Sequence, residues 1–168
     1  MKMNRRLSRV VILSLLSGVG SLFIAVRPTY AQTATDSTVT VSTVTLPVSG
    51  TASAAKTGLT EAVSFSGPLV VTATVSTDPT LGPSAVVSID GRGVKGTGNK
   101  TGTVYLNECE AILTRPFAAT DVIKLTFAFF ADAPGSYLTS KTGLATLTLT
   151  YDTVTMKLTK VTASVGTL

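Results

Sequence analysis

Apolar and hydroxyl-bearing positions alternate along most of the chain, and that period of two predicts strands rather than helices. Ser37 to Leu46 (STVTVSTVTL) sets Val39 and Val41 against threonines, then slips parity at Ser42-Thr43 before Val44 and Leu46. A bulge there would return all four to one face. Pro47 to Gly58 is small and polar and reads as a loop. Glu61 to Ser66 and Leu69 to Ser76 read as two strands, the second with Leu69, Val71, Ala73 and Val75 on one face. Asp78 to Pro83 is a turn, and Ser84 to Asp90 returns with Ala85, Val87 and Ile89 inward. Gly91 to Gly102 (GRGVKGTGNKTG) reads as a flexible connection, and Thr103 to Leu113 as one strand closed by Arg115-Pro116.

The pattern then strengthens. Asp121 to Ala131 (DVIKLTFAFFA) lines up Ile123, Leu125, Phe127 and Phe129, as a central strand does. Pro134-Gly135 turns the chain. Leu144 to Tyr151 alternates strictly, with Leu147, Leu149 and Tyr151 opposed by Thr146, Thr148 and Thr150. Asp152-Thr153 is a turn or a bulge, after which Val154, Met156 and Leu158 form the last face, running toward Val165.

About seven to nine short strands, each with one apolar face, predict an all-β domain. The expected arrangement is an antiparallel two-layer β-sandwich, immunoglobulin-like or jelly-roll, because two packed sheets need one apolar face per strand. No repeat of fixed period is present. The structural rival is a small outer-membrane β-barrel. Only three tyrosines and five phenylalanines follow Ala31, too few for two aromatic girdles, and several strands look shorter than the ~9–11 residues a membrane crossing needs.

Composition agrees and adds a compartment. Threonine supplies 29 residues beyond Ala31, and its β-branched side chain suits a pleated surface. At the front, Lys2, Arg5, Arg6 and Arg9 precede an apolar run from Val10 to Val26, then Arg27-Pro28 and Thr29-Tyr30-Ala31. This is the form of a secretory signal peptide over residues 1–31, cleaved between Ala31 and Gln32. The run is short and diluted by serine and glycine for a membrane anchor. Five of the fourteen basic residues lie in this leader, leaving nine against nine acidic ones. The remainder, residues 32–168, is formally neutral, so nucleic acid is not an expected partner. It reads as one domain, in which residues 32–60 form either an ordinary first strand and loop or a loosely attached segment able to join a neighbour's sheet edge.

Reactive chemistry is sparse. There is no histidine, which removes Ser-His and Cys-His pairs and, with Cys109 as the only cysteine, removes the usual zinc ligand sets. Cys109 has no intrachain disulfide partner and is expected to be buried as a small hydrophobe. Gly96-Thr97-Gly98-Asn99-Lys100-Thr101 approaches a phosphate loop, but Asn99 separates Gly98 from Lys100 and no helical pattern follows. Asn99-Lys100-Thr101 is also an N-glycosylation sequon. Leu46-Pro47-Val48-Ser49-Gly50 resembles a sortase sorting signal but lies far from the C-terminus, with no apolar tail behind it. Glu108 and Glu110 share a strand face, as solvated carboxylates do.

The expectation is therefore a non-catalytic protein, without cofactor or metal, that is secreted to an extracellular, periplasmic or cell-surface location. Its role would be structural, adhesive or in assembly, with self-association or another surface protein as partner and no membrane after signal removal. A secreted carbohydrate-binding module is the alternative. Its weak ligand-binding candidates are the cationic Arg92, Lys95 and Lys100 and the turn-borne Tyr137.

Overall fold

The computed structural model describes residues 37–166; the expected leader over residues 1–31 and its expected cleavage point between Ala31 and Gln32 lie outside them. The described chain is all-β. Its strands are β1 (Val39–Ala52), β2 (Val63–Asp78), β3 (Gly82–Asp90), β4 (Lys95–Gly98) and β5 (Val104–Asn107). They are followed by β6 (Glu110–Pro116), β7 (Thr120–Ala131), β8 (Lys141–Asp152) and β9 (Lys157–Gly166). One helical turn at Ala54–Thr57 and one 3-10 turn at Ser136–Thr139 interrupt them.

The expected division into two hydrogen-bonded sheets is not what the ladder gives. A single mixed sheet runs β1-β9-β8-β7-β5-β4-β2-β3-β6, and β1 also pairs with β2, closing the order on itself. The mixing comes from one parallel pair, Gly50 with Val165. Continuity comes from strands that change partner. Residues 63–66 of β2 pair with β4, whereas residues 70–78 pair with β3. The change falls at Gly67-Pro68, where Gly67 takes φ +145 and a Cβ would lie 2.3 Å from the Gly93 carbonyl oxygen. Only glycine fits there. The opposite crossing falls at Glu108-Cys109, which splits the expected strand Thr103–Leu113: β5 pairs with β4 and β7, and β6 with β3.

β1 differs from expectation in length and in facing. It continues six residues past Leu46 and pairs with β2 in unbroken register, from Val39 with Ser76 to Ala52 with Val63. Part of the expected Pro47–Gly58 loop is therefore strand, and no bulge forms at Ser42-Thr43. Val44, Leu46 and Val48 face inward, while Val39 and Val41 are left on the outside. At the other end of the chain Val154 and Met156 lie in the β8–β9 turn, and Val154 is exposed.

The inward faces match the alternation. Val71, Ala73 and Val75 of β2, Val87 and Ile89 of β3, and Leu147 and Leu149 of β8 are almost completely buried. Aromatic rings tie the middle of this core. Phe65 on β2 meets Phe127 and Phe129 on β7 edge-on, with centroids 5.6 and 5.1 Å away, and Tyr105 adds a third edge contact to Phe129 at 5.9 Å. Among the described residues β6 alone ends the ladder, and it carries the charge and proline that discourage further strand addition. Arg115 donates to both carboxylate oxygens of Asp121 at 2.7 and 2.9 Å, fastening β6 to the start of β7.

Candidate functional site

The missing bulge creates the most distinctive surface. On the outer face of β1-β2-β3-β6, cross-strand rows read Val39–Ser76–Ser84–Pro116, Val41–Thr74–Val86–Thr114 and Thr43–Thr72–Ser88–Ile112. None of these twelve side chains is charged. Val39, Val41 and Ile112 are 62%, 61% and 71% exposed, at the two lateral margins of the face. Between them hydroxyls pair with one another, Thr43 with Thr72 at 3.0 Å and Ser76 with Ser84 at 3.2 Å. The next row, Thr45–Val70–Asp90–Glu110, brings in the first charges at the rim. The outer face of β7-β8-β9 is built differently. Its rows Thr120–Thr150–Lys160 and Lys124–Thr146–Ser164 each hold a lysine among the hydroxyls, with the uncharged row Val122–Thr148–Thr162 between them.

The glycine-rich segment is ordered, contrary to its reading as a flexible connection. It contains β4 and a tight hairpin whose backbone amides do point at an anion, but that anion is Glu61 of the same chain. The Glu61 carboxylate accepts from the Lys100 amide at 2.5 Å, from the Thr101 amide at 2.9 Å and from the Thr101 hydroxyl. It is only 4% exposed. The Thr101 hydroxyl, then the Lys100 and Thr101 amides, hold its pKa below the ordinary 4.5. The nest that sequence alone compares with a phosphate loop is thus filled from within.

The sign of the resulting pH dependence follows directly. A folded-state pKa below the unfolded one gives stability that is complete above about pH 5 and lost as the pH falls through the folded value. Asp90 adds to the same acid limb: the Arg92 guanidinium, then the Arg92 amide, push it down to about 2. Glu61→Gln is expected to be less stable than the parent at pH 7 and to converge with it as the pH falls through the folded value, in denaturant melts taken from neutral into acid. Equal stability at every pH would mean that the carboxylate contributes nothing.

The four sequence candidates do not converge. Arg92 sits in the β3–β4 turn, its charge engaged by Asp90 at 2.7 Å and Glu110 at 3.7 Å. Lys95 opens β4, and Lys100 lies past its other end in the β4–β5 hairpin. Tyr137, in the 3-10 turn after β7, is 63% exposed, whereas Tyr105 and Tyr151 belong to the core. Since the Asp132 amide donates to the Val104 carbonyl at 2.8 Å, that turn shares an end of the molecule with the Lys100 hairpin, away from Arg92. Glu108 falls at the break between β5 and β6, so it and Glu110 do not share one strand.

Cys109 is buried against an apolar depression of about 360 Å³, counting the space at its open mouth, walled by Val48, Leu69, Val94, Phe127 and Leu147. Beside it Asn107, a residue the sequence reading passed over, is 6% exposed and fully engaged. Its Nδ2 donates to the Gly91 carbonyl at 3.0 Å and to the Val94 carbonyl, and its Oδ1 accepts from the Cys109 amide at 2.9 Å. Burial, and then the Asp90 charge, push the Cys109 thiol up. Thiolate is the reactive form, so a thiol reagent at pH 8 is expected to label native protein at least about 100-fold more slowly than denatured protein. Labelling at the denatured rate would place the thiol at the surface.

Among the described residues no three histidine, cysteine or acidic side chains gather as metal ligands, and no helix is long and apolar enough to cross a membrane. No known protein family, curated protein or solved structure matches the chain.

Proposed function

We propose that the chain is an exported, non-catalytic β-protein with a structural, adhesive or assembly role at the cell surface or in the extracellular matrix. Its strands are read as two layers, β1-β2-β3-β6 against β4-β5-β7-β8-β9, in a sandwich of immunoglobulin-like or jelly-roll type. Val48 and Leu69 of the first layer and Phe127 and Leu147 of the second line one apolar depression, which supports that packing. One observation carries the functional reading: an uncharged outer sheet face with valine and isoleucine at its margins. Charge on an exposed sheet face keeps it solvated, and exposed apolar side chains on a face without charge favour contact with another surface. The membrane-barrel reading loses ground to the packed apolar interior and the lysines outside, the inverse of a lumen-and-lipid pattern.

The test is fractionation of the producing cells, with intact mass read on the recovered chain. Mass beginning at Gln32, in the surface or matrix fraction, supports the proposal. Full-length chain held in the cytoplasm or the membrane overturns it. The glycan-binding alternative rests on Tyr137, whose ring is exposed as a stacking platform would be. Binding in a glycan screen that Tyr137→Ala abolishes would favour that alternative.

A further inference from the structure

β4 has no apolar anchor of its own. Its inward positions are Gly96 and Gly98, and its other two side chains, Lys95 and Thr97, are exposed. It lies as bare backbone on its neighbours: a Cβ on Gly96 would come within 2.7 Å of Val63, 3.0 Å of Phe65 and 3.1 Å of Tyr105. Its ladder is short, because residues 95–98 meet β2 and only Gly96 and Thr97 meet β5. A segment that buries no apolar side chain and pairs briefly belongs to the part of a fold that opens before the rest.

Glu61 fastens it. The buried carboxylate reaches into the turn after β4 and takes the Lys100 amide, the Thr101 amide and the Thr101 hydroxyl. The approach is close, since a Cβ on Gly98 would lie 2.4 Å from Glu61 Oε1. Two neutral bonds accompany it: Ser64 Oγ donates to Asn99 Oδ1 at 2.8 Å, and the Asn99 amide donates to the Ala62 carbonyl at 2.9 Å. We propose that Glu61 is an acid-sensitive latch. Ionised, it closes residues 95–103 onto β2 and β5; protonated, it lets that hairpin open while the β7-β8-β9 layer stays folded.

The chemistry follows from the acceptor. Hydrogen bonds to an ionised carboxylate are about twice as strong as neutral ones, and protonation removes the charge that strengthens all three. Among the described residues, the titratable groups that face Glu61 are Lys100 on the turn and Tyr105 on β5. Lysine stays charged and tyrosine neutral throughout the acid range, so of the three only Glu61 changes state there. The latch is therefore closed at neutral pH and yields as the pH falls through the folded-state value. Opening uncovers Val63, Phe65 and Tyr105 and leaves residues 63–66 of β2 without a partner on that side. A free strand edge beside exposed apolar side chains favours association.

The experiment is hydrogen exchange on the exported chain as recovered, followed amide by amide by NMR from pH 7 to about pH 3. Protection is referred to each amide's own chemical exchange rate at each pH. The parent is compared with Glu61→Gln and with Asp152→Ala, which removes a carboxylate that caps the Val154 and Thr155 amides at the far end of β8. In the parent, amides of residues 98–101 are expected to open more readily than those of β8. At pH 7 Glu61→Gln is expected to lower their protection at least about tenfold, the worth of a charged acceptor. The parent approaches that level in acid, and Asp152→Ala leaves the hairpin as it is in the parent. Hairpin amides as protected as those of β8 overturn the latch, and so does an equal loosening by Asp152→Ala. Should Glu61→Gln not fold, the pH series of the parent decides: hairpin protection that falls in acid supports the latch, and constant protection down to about pH 3 overturns it.

Discussion

Phe129→Ala is expected to lower the unfolding free energy by about 3–5 kcal/mol, the usual cost of removing a buried ring whose surroundings cannot collapse into the space. Phe129 is 0% exposed and holds edge contacts to Phe65 and Tyr105 from two other strands. Its loss would loosen β2, β5 and β7 together. For a domain this small such a loss takes a large part of the total stability. Urea unfolding followed by circular dichroism measures it. A shift below about 1 kcal/mol would mean that the ring cluster is not central to the core.

Asn107→Ala is expected to cost about 2–4 kcal/mol, by stranding polar groups rather than by opening space. Without the amide, the Cys109 N–H loses its acceptor and the carbonyls of Gly91 and Val94 lose a donor, all inside the fold. Asn107→Asp separates the hydrogen bonds from the volume, because a carboxylate would face those two carbonyl oxygens. It is expected to be more destabilised at pH 7 than at about pH 3, where a protonated acid can donate again. Urea midpoints for both variants decide the matter. If Asn107→Ala unfolds within about 0.5 kcal/mol of the parent, the amide does not organise the β5–β6 crossing.

These two residues mark the boundary of what the sequence discloses. Phe129 is legible: it stands in strict alternation with Ile123, Leu125 and Phe127, and the period of two assigns it inward. Asn107 is not, because a polar side chain at an inward position looks like an error of alternation. Its three partners become visible only once the chain has folded back. The same limit hid β4, whose inward positions are Gly96 and Gly98. A Cβ on Gly98 would lie 2.4 Å from a Glu61 oxygen, and one on Gly96 would lie 2.7 Å from Val63. Those positions are buried because they are empty, and a hydrophobic pattern cannot register them.

β1 shows a different kind of failure. Alternation supplied two incompatible parities, and local reasoning resolved them with a bulge. The long unbroken pairing with β2 resolves them instead by keeping Val44, Leu46 and Val48 inward, at the cost of exposing Val39 and Val41. Burial of the larger set outweighs exposure of the smaller, since each buried aliphatic side chain is worth about 1.5–3 kcal/mol. The exposed pair is the feature on which the surface reading stands. Glu61 was missed for a reason of distance: its hydrogen-bond donors lie 39 and 40 residues further along the chain.

The most direct test of the whole account is where the Val41→Lys/Ile112→Lys protein goes when its producing cells are fractionated. If the uncharged face holds the protein in place, the double variant is released into the medium, folded and correctly processed. The parent and Val122→Lys, substituted at an exposed site of the β7-β8-β9 face, stay with the surface fraction. Retention of the double variant at the parent's level would contradict it, because the function would then reside somewhere other than that face.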